Sequence, residues 1–342
     1  MKIAKHVRKL EAYTPGEQPR ERRIIKLNTN ENPYPPSPKC AQVLKEFDLE
    51  KLRRYPDPAI SELKKAIARL NHVSERNVFV GNGSDEVLSI AAKTFVENDE
   101  AIGSLDPSYS LYKTLSAIRD VPWTGTNDPC APGSLGNAER PVSLFLWTNP
   151  NAPTGTVAKK KDVAAFARKF PGVVIVDEAY ADFAKENCME LAAGKGNRNI
   201  IVMRTFSKSY SLAGLRVGYC VGPEKLIEAM DKVKDSYNID AIAQAVALAA
   251  IKDQKWMKRN VAKVVKTRRR FTAELEKRGW DVLPSQANFV FARPPDGNAA
   301  RVFEELKKKR IFVRYFKGPL TGDRLRITIG TDCEMDKLLE SI

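Results

Sequence analysis

Apolar residues fall along this chain in two rhythms, and the change from one to the other divides it. Short apolar runs at 78–80, 142–147, 173–176 and 200–203 are too brief for helices, and each ends in a polar, turn-forming string. They predict strands, with 217–221 as a fifth, while 87–96 carries helical spacing. Strands separated by helices predict an α/β fold with a mostly parallel sheet covered by helices on both faces. After about Asn238 the pattern changes. An alanine-rich helix (241–251) is followed by a basic helix, then by a strand, a helix and a strand ending in RLRITIG, which suits a smaller α+β unit. The first 38 residues are rich in proline and carry the polar string NTNENPYPP, so they predict an arm lying over the rest and not a core element. The expected organisation is an N-terminal arm (1–38) packing on the small domain or a partner subunit, a large domain (39–238) and a small C-terminal domain (239–342).

A length of 342 residues suits two unequal domains. No apolar run approaches the ~20 residues that a membrane span needs. The five cysteines are odd in number, scattered and without a CxxC pair, which predicts a reduced, cytoplasmic setting without disulfides or zinc. Only two histidines are present, His6 and His72, and neither has a partner at motif spacing. Proton transfer therefore falls to a lysine or a carboxylate. The net charge of +15 gathers in 258–270 (KRNVAKVVKTRRR) and 307–310 (KKKR), where apolar residues keep helical spacing. The solvated faces of two helices account for this better than a nucleic-acid footprint, because no recognition module or interleaved aromatics accompany the charge.

In an open parallel sheet, ligands gather beyond the carboxyl ends of the strands. Polar clusters follow four of the expected strands in turn: Ser84 and Asp85, Asn149 and Asn151, Asp177 and Tyr180, Ser207 and Lys208. One such cluster is usually a turn or a helix cap, but four in a row suit a chemistry. A lysine flanked by Thr205 and Ser207 and followed by Arg216 can form an imine with an aldehyde while hydroxyls and a guanidinium hold a phosphate. The glycine-rich turn before the first helix offers N–H groups to the same anion. An aspartate at a strand end can pair with a pyridinium nitrogen, and a tyrosine three residues later can reach a ring oxygen.

The order GNGSDE, DPSYSLY, NPNAPTG, DEAYADF, RTFSKSYSLAGLRVGY and RLRITIGT resembles the fold-type-I aminotransferases of classes I and II. Within them the strings LNTNENPYPPSP and RYPDP are most similar to the histidinol-phosphate aminotransferases, and the resemblance runs from about Tyr13 (AYTPG) to the C-terminus. It implies pyridoxal 5′-phosphate as cofactor, and amino transfer between L-glutamate and 2-oxoglutarate on one side and histidinol phosphate and imidazole-acetol phosphate on the other, as in histidine biosynthesis. By the same resemblance, Lys208 forms the imine and moves the proton, Asp177 pairs with the pyridine nitrogen, and Tyr180 pairs with the ring hydroxyl. Tyr109 stacks on the ring. Gly83, Ser84, Asp85, Thr205, Ser207 and Arg216 hold the cofactor phosphate. Tyr55, in RYPDP, reaches that phosphate from the second subunit of a homodimer. Arg326 binds the carboxylate of glutamate and the phosphate of histidinol phosphate, with Arg314, Tyr13 and Asn30 as further substrate candidates. Tyr237 and Asn238 are candidates for the imidazole.

One departure stands out. The family places an asparagine before the proline of this loop, where its amide meets the ring oxygen, but here that position is Ala152. Either Tyr180 alone holds the oxygen or Asn151 supplies the amide. Two other reactions fit the same scaffold, amino transfer to aromatic amino acids and decarboxylation of threonine phosphate. A non-catalytic nucleic-acid-binding module is the remote alternative, and the joint retention of lysine, aspartate, tyrosine and arginine argues against it.

Overall fold

A computed structural model describes residues 2–10, 16–19, 23–131 and 133–342. After a short β1 (Ile25–Lys26) come β2 (Val78–Gly81), β3 (Ala101–Leu105), β4 (Trp123–Thr126), β5 (Val142–Thr148), β6 (Val173–Asp177), β7 (Ile200–Thr205) and β8 (Gly218–Val221). The last seven form one sheet in the order β2-β8-β7-β6-β5-β3-β4. From β7 to β4 every neighbour is parallel, and β8 alone runs against its neighbours β7 and β2.

The central strands are apolar on both faces because both faces are covered. Side chains alternate across a strand, and the alternation sorts them into two cores. Leu144, Leu146, Ile175, Ile201 and Met203 pack with the helices Gly83–Phe95 and Leu111–Arg119. Phe145, Trp147, Val174, Val176 and Val202 pack with the helix Lys160–Lys169 and with the C-terminal part of the chain. The five expected strands are present, and β3 and β4 are additional. Their pattern is weak for a reason: a Cβ at Gly103 in β3 would lie 2.8 Å from the Phe145 ring, so the position must lack a side chain. Strand β4 (WTGT) is a polar edge. The helix expected at 87–96 begins earlier, at Gly83.

The remaining strands are β9 (Asp281–Val282), β10 (Phe289–Arg293), β11 (Ile311–Phe312), β12 (Arg314–Tyr315) and β13 (Leu325–Thr328). Four of them form a small sheet in the order β12-β13-β10-β9, and β1 pairs in parallel with β11. Part of the stretch expected as an arm thus pairs with the small-sheet side. Leu27 is 1% exposed and belongs to the main apolar cluster, because its backbone bonds to Phe312 and Thr328 carry it into the small-sheet side. The helix Ala241–Lys252 packs on the helices Pro38–Glu46 and Ser61–Asn71. The basic helix runs as Gln254–Lys277, with Met257, Val261, Val264 and Phe271 buried and Lys258, Arg259, Lys263, Lys266 and Arg269 exposed. Its charge is thus mostly a solvent face over an apolar seam, and Arg268, 7% exposed, is the exception that turns inward to the carbonyls of Phe183 and Ala287. Among the described residues no helix is long and apolar enough to cross a membrane. The carboxyl ends of β5, β6 and β7 point toward the small sheet, and the space between them is the candidate site.

Candidate active site

A cavity of about 440 Å³ opens there, and Asp177, Lys208, Ser84, Tyr180, Arg216 and Arg326 line it together. Asp177 is the last residue of β6 and is 3% exposed. Tyr112 O–H donates to its Oδ2 at 2.8 Å, and the backbone N–H of Ala179 donates to its Oδ1 at 3.1 Å. Burial pushes the carboxyl up to about 6, against those two hydrogen bonds. Tyr112 is itself fully buried, with its hydroxyl 2.6 Å from Thr148 Oγ1. It orients the aspartate, and the only hint of this in sequence is its place one helical turn beyond Tyr109. The Tyr109 hydroxyl donates to Asp85 at 3.3 Å, and its ring meets that of Tyr112 edge-on.

Lys208 follows β7 and directs its Nζ into the same space, where it donates to the Thr29 carbonyl at 3.1 Å. Desolvation first, and then repulsion from Arg326, pull its pKa from the ordinary lysine value down to about 8, against the attraction of Glu31 and Asp85. The loop carrying it is fixed on two sides. Asn32 Nδ2 donates to the carbonyls of Lys208 and Ser209 at 3.1 and 3.3 Å. Ser209 Oγ donates to Asp182, which accepts from Arg204 Nη1 at 3.2 Å, and Arg204 Nη2 donates to the buried Glu178 at 2.8 Å. This ion-pair chain ties the end of β6 to the end of β7, and so holds Asp177 and Lys208 in register.

An anion cradle lies beside the lysine. Ser84 and Asp85 occupy the first turn of the helix Gly83–Phe95, whose free N–H groups and dipole favour negative charge. Thr205, Ser207 and Arg216 complete it: Thr205 Oγ1 donates to Ser207 Oγ at 3.0 Å, and Arg216 pairs with Asp85 at 3.3 Å. Gly83 does not itself line the cavity, yet a Cβ there would lie 2.6 Å from Arg216 Nη2, and its φ of +80° favours glycine. On the opposite wall, Arg314 and Arg326 sit directly across from one another in the β12–β13 pairing, and both line the cavity. Their guanidinium groups flank the Phe316 ring at 5.1 and 5.2 Å, and Arg326 Nη2 donates to the Asn28 carbonyl at 2.8 Å. Asn30 reaches the cavity edge, where its Nδ2 donates to the Tyr180 hydroxyl at 2.9 Å.

Other expected residues fall elsewhere. Asn151 is turned away: its Nδ2 donates to the Pro107 carbonyl at 2.9 Å and to Thr154 Oγ1 at 3.1 Å, and its Oδ1 accepts from Ser108 at 2.9 Å. It lines a neighbouring hollow, so its amide does not stand in for the asparagine replaced by Ala152. Asn238 donates to the Val80 carbonyl at 3.1 Å and to Glu86 at 2.8 Å, and it does not line the cavity. Tyr237 stacks on Tyr55 at 4.4 Å between ring centres, outside the cavity, and Tyr55 is 81% exposed. Tyr13 lies outside the described residues. Glu31, which pairs with Lys26 and lines the cavity, lies in the string LNTNENPYPPSP but was not singled out as a site residue.

A sequence model of the family described as aminotransferase class I and II matches residues 22–342. The chain belongs to that family. A protein of Nostoc sp. named histidinol-phosphate aminotransferase 1 is 43% identical over 344 residues, covering 98% of this chain and 96% of the other. The histidinol-phosphate aminotransferase of Rhodopirellula baltica is 43% identical over 332 residues, covering 96% and 91%. Among solved structures, histidinol-phosphate aminotransferase from Sinorhizobium meliloti in complex with pyridoxal-5′-phosphate superposes with a TM-score of 0.85 at 27% identity, over 93% of this chain and 90% of the other. Pyridoxal phosphate, the cofactor this aminotransferase family implies, fits the residues present. The donor set pairs an amine of depressed pKa with a buried carboxylate and a cradle of hydroxyls, guanidinium and helix N-terminus. Gly83 also leaves open the space beside Arg216 that a Cβ would fill.

Proposed function

We propose that this pyridoxal-phosphate aminotransferase moves an amino group between L-glutamate/2-oxoglutarate and histidinol phosphate/imidazole-acetol phosphate. The observation that carries the reading is the convergence on one cavity of Lys208, Asp177 and the anion cradle with the opposed pair Arg314 and Arg326. Glutamate brings a second carboxylate and histidinol phosphate a phosphate, so each has an anionic group for that pair. The side chain of phenylalanine has none.

When bound, pyridoxal phosphate supplies an electron sink for the pair released when the substrate Cα loses its proton. Lys208 Nζ, held near neutrality by burial, is the base that takes this proton and later returns it. Asp177, oriented by Tyr112 and Ala179, holds the pyridine nitrogen in its protonated form, and a cation there brings the raised carboxyl back toward its ordinary range. Tyr180 would donate to the ring oxygen, Tyr109 would stack on the ring, and the backbone at Gly83, Ser84 and Asp85 with the hydroxyls of Thr205 and Ser207 and the Arg216 guanidinium would hold the phosphate. Arg326 and Arg314 fix the substrate anion.

The same proposal includes a homodimer in which Tyr55 completes the partner's phosphate site, a cytoplasmic location, and a division into a large part (39–238) and a small part (239–342). The test is to add histidinol phosphate, phenylalanine or threonine phosphate to the cofactor-loaded protein without a keto acid, and to follow its visible absorbance and released carbon dioxide. Histidinol phosphate is expected to bleach the absorbance fastest, and Lys208→Ala to lose both the absorbance and the turnover. Faster bleaching by phenylalanine, release of carbon dioxide from threonine phosphate, or retained turnover in Lys208→Ala would overturn the reading.

A further inference from the structure

Asn30 sits where three parts of the molecule meet, and both ends of its amide are in use. Its backbone N–H donates to Thr328 Oγ1 at 3.0 Å, that hydroxyl donates to Asn30 Oδ1 at 2.9 Å, and Nδ2 donates to the Tyr180 hydroxyl at 2.9 Å. Asn288 Nδ2 holds the Asn30 carbonyl at 2.9 Å. A backbone N–H can only donate, so Thr328 accepts there and gives its proton to Oδ1. The amide is thereby oriented with its NH₂ toward Tyr180. The residue is 1% exposed and has a φ of +56°, a conformation that asparagine tolerates better than most side chains.

The sequence placed Asn30 among the substrate candidates, yet each end of its amide is engaged by a side chain of the protein itself. These bonds act on Tyr180. A hydroxyl that accepts from an amide keeps its own proton to give elsewhere, and the open direction for Tyr180 is the cavity it lines. We propose that Asn30 is a positioning residue, anchored by Thr328 and Asn288, that fixes the Tyr180 hydroxyl as a donor into the cavity. The inference rests on the reading that Tyr180 donates to the cofactor's ring oxygen, and it gives that oxygen a directed donor where Ala152 offers none.

A donor directed at a negatively charged oxygen favours the form that keeps the charge exposed, so loss of the donor raises the pH at which the lysine-bound cofactor gives up its proton. Lys208 Nζ, 5.7 Å from the Tyr180 ring centre, together with Arg326, Asp177 and Asp85, also faces Tyr180, and the substitution below leaves all four in place. The experiment is a pH titration of the visible absorbance of cofactor-loaded protein without substrate. The variants are Asn30→Gly in the wild-type background, Tyr180→Phe alone, and Asn30→Gly combined with Tyr180→Phe. Glycine adopts this φ without strain, and Thr328→Val, which frees the amide without removing it, supplies a second route.

Tyr180→Phe is expected to raise the midpoint, Asn30→Gly to raise it by about half to one pH unit in the wild-type background, and Asn30→Gly to add nothing in the Tyr180→Phe background. Thr328→Val is expected to move it in the same direction by less. An unmoved midpoint in Asn30→Gly, or an equal shift in both backgrounds, overturns the inference alone. An unmoved midpoint in Tyr180→Phe overturns the assignment of Tyr180, and the inference with it.

Discussion

Lys208 and Asp177 are moved from their ordinary ionisation in opposite directions by one cause, the removal of charge from water. The folded chain releases the Lys208 proton at about 8, where a free lysine holds it to 10.5. Between those values the unfolded state of the cofactor-free protein binds more protons, so stability rises with pH across the window and the burial penalty stands in full below it. Asp177 works the other way. Its folded value of about 6 exceeds the ordinary 3.8, so the folded state binds more protons in that window and stability falls as pH rises through it. Thermal unfolding of the cofactor-free protein across pH is therefore expected to lose its alkaline rise in Lys208→Met and its acid-side fall in Asp177→Asn. Variant profiles parallel to the wild type would remove burial as the cause. Lysine and aspartate were legible in the sequence because Asp177 ends a strand and Lys208 follows one within three residues. The roles of Tyr112 and Asn30 toward Asp177 and Tyr180 were not, because they depend on partners 65 and 150 residues away.

Secondary-structure elements set how closely the cradle can be built. Strand β8 passes the start of the helix Gly83–Phe95 so tightly that a Cβ at Gly218 would lie 2.5 Å from Ser84 N and 2.7 Å from the Gly83 carbonyl carbon. Backbone on both sides cannot give as a flexible side chain would. Gly218→Ala is expected to push back the helix N-terminus, weakening cofactor binding at least ~10-fold while costing about 1–3 kcal/mol of stability by overpacking. Titration of the cofactor absorbance, set beside thermal unfolding, separates the two effects, and unchanged affinity would sink the account. The five strands with short apolar runs were legible because burial on both faces demands such runs. The edge strand β4 and glycine-bearing β3 were hidden, since one needs no apolar face and the other needs a missing side chain.

For the whole molecule, the proposed homodimer places Tyr55 of one chain at the cofactor phosphate of the other. Tyr55→Ala and Lys208→Ala would then damage different halves of each shared site. A mixed dimer of the two variants has one undamaged site, with Lys208 from one chain and Tyr55 from the other. Mixing the two inactive proteins under conditions that exchange subunits is expected to restore about a quarter of wild-type turnover, since random pairing makes half the dimers mixed, each with one good site. If mixing restores nothing while exchange is demonstrated, Tyr55 serves its own chain or none. Taken alone, the sequence determined the α/β class, the family and the groups that end the parallel strands, because strand period and turn chemistry are local properties. Only the tertiary structure decided that Leu27 belongs to the core, that Asn151 turns away, that Arg314 and Arg326 oppose each other, and that Asn30 holds Tyr180. Each of these depends on strand register or on contacts between distant segments, and no periodicity along the chain encodes which distant residue a side chain will meet.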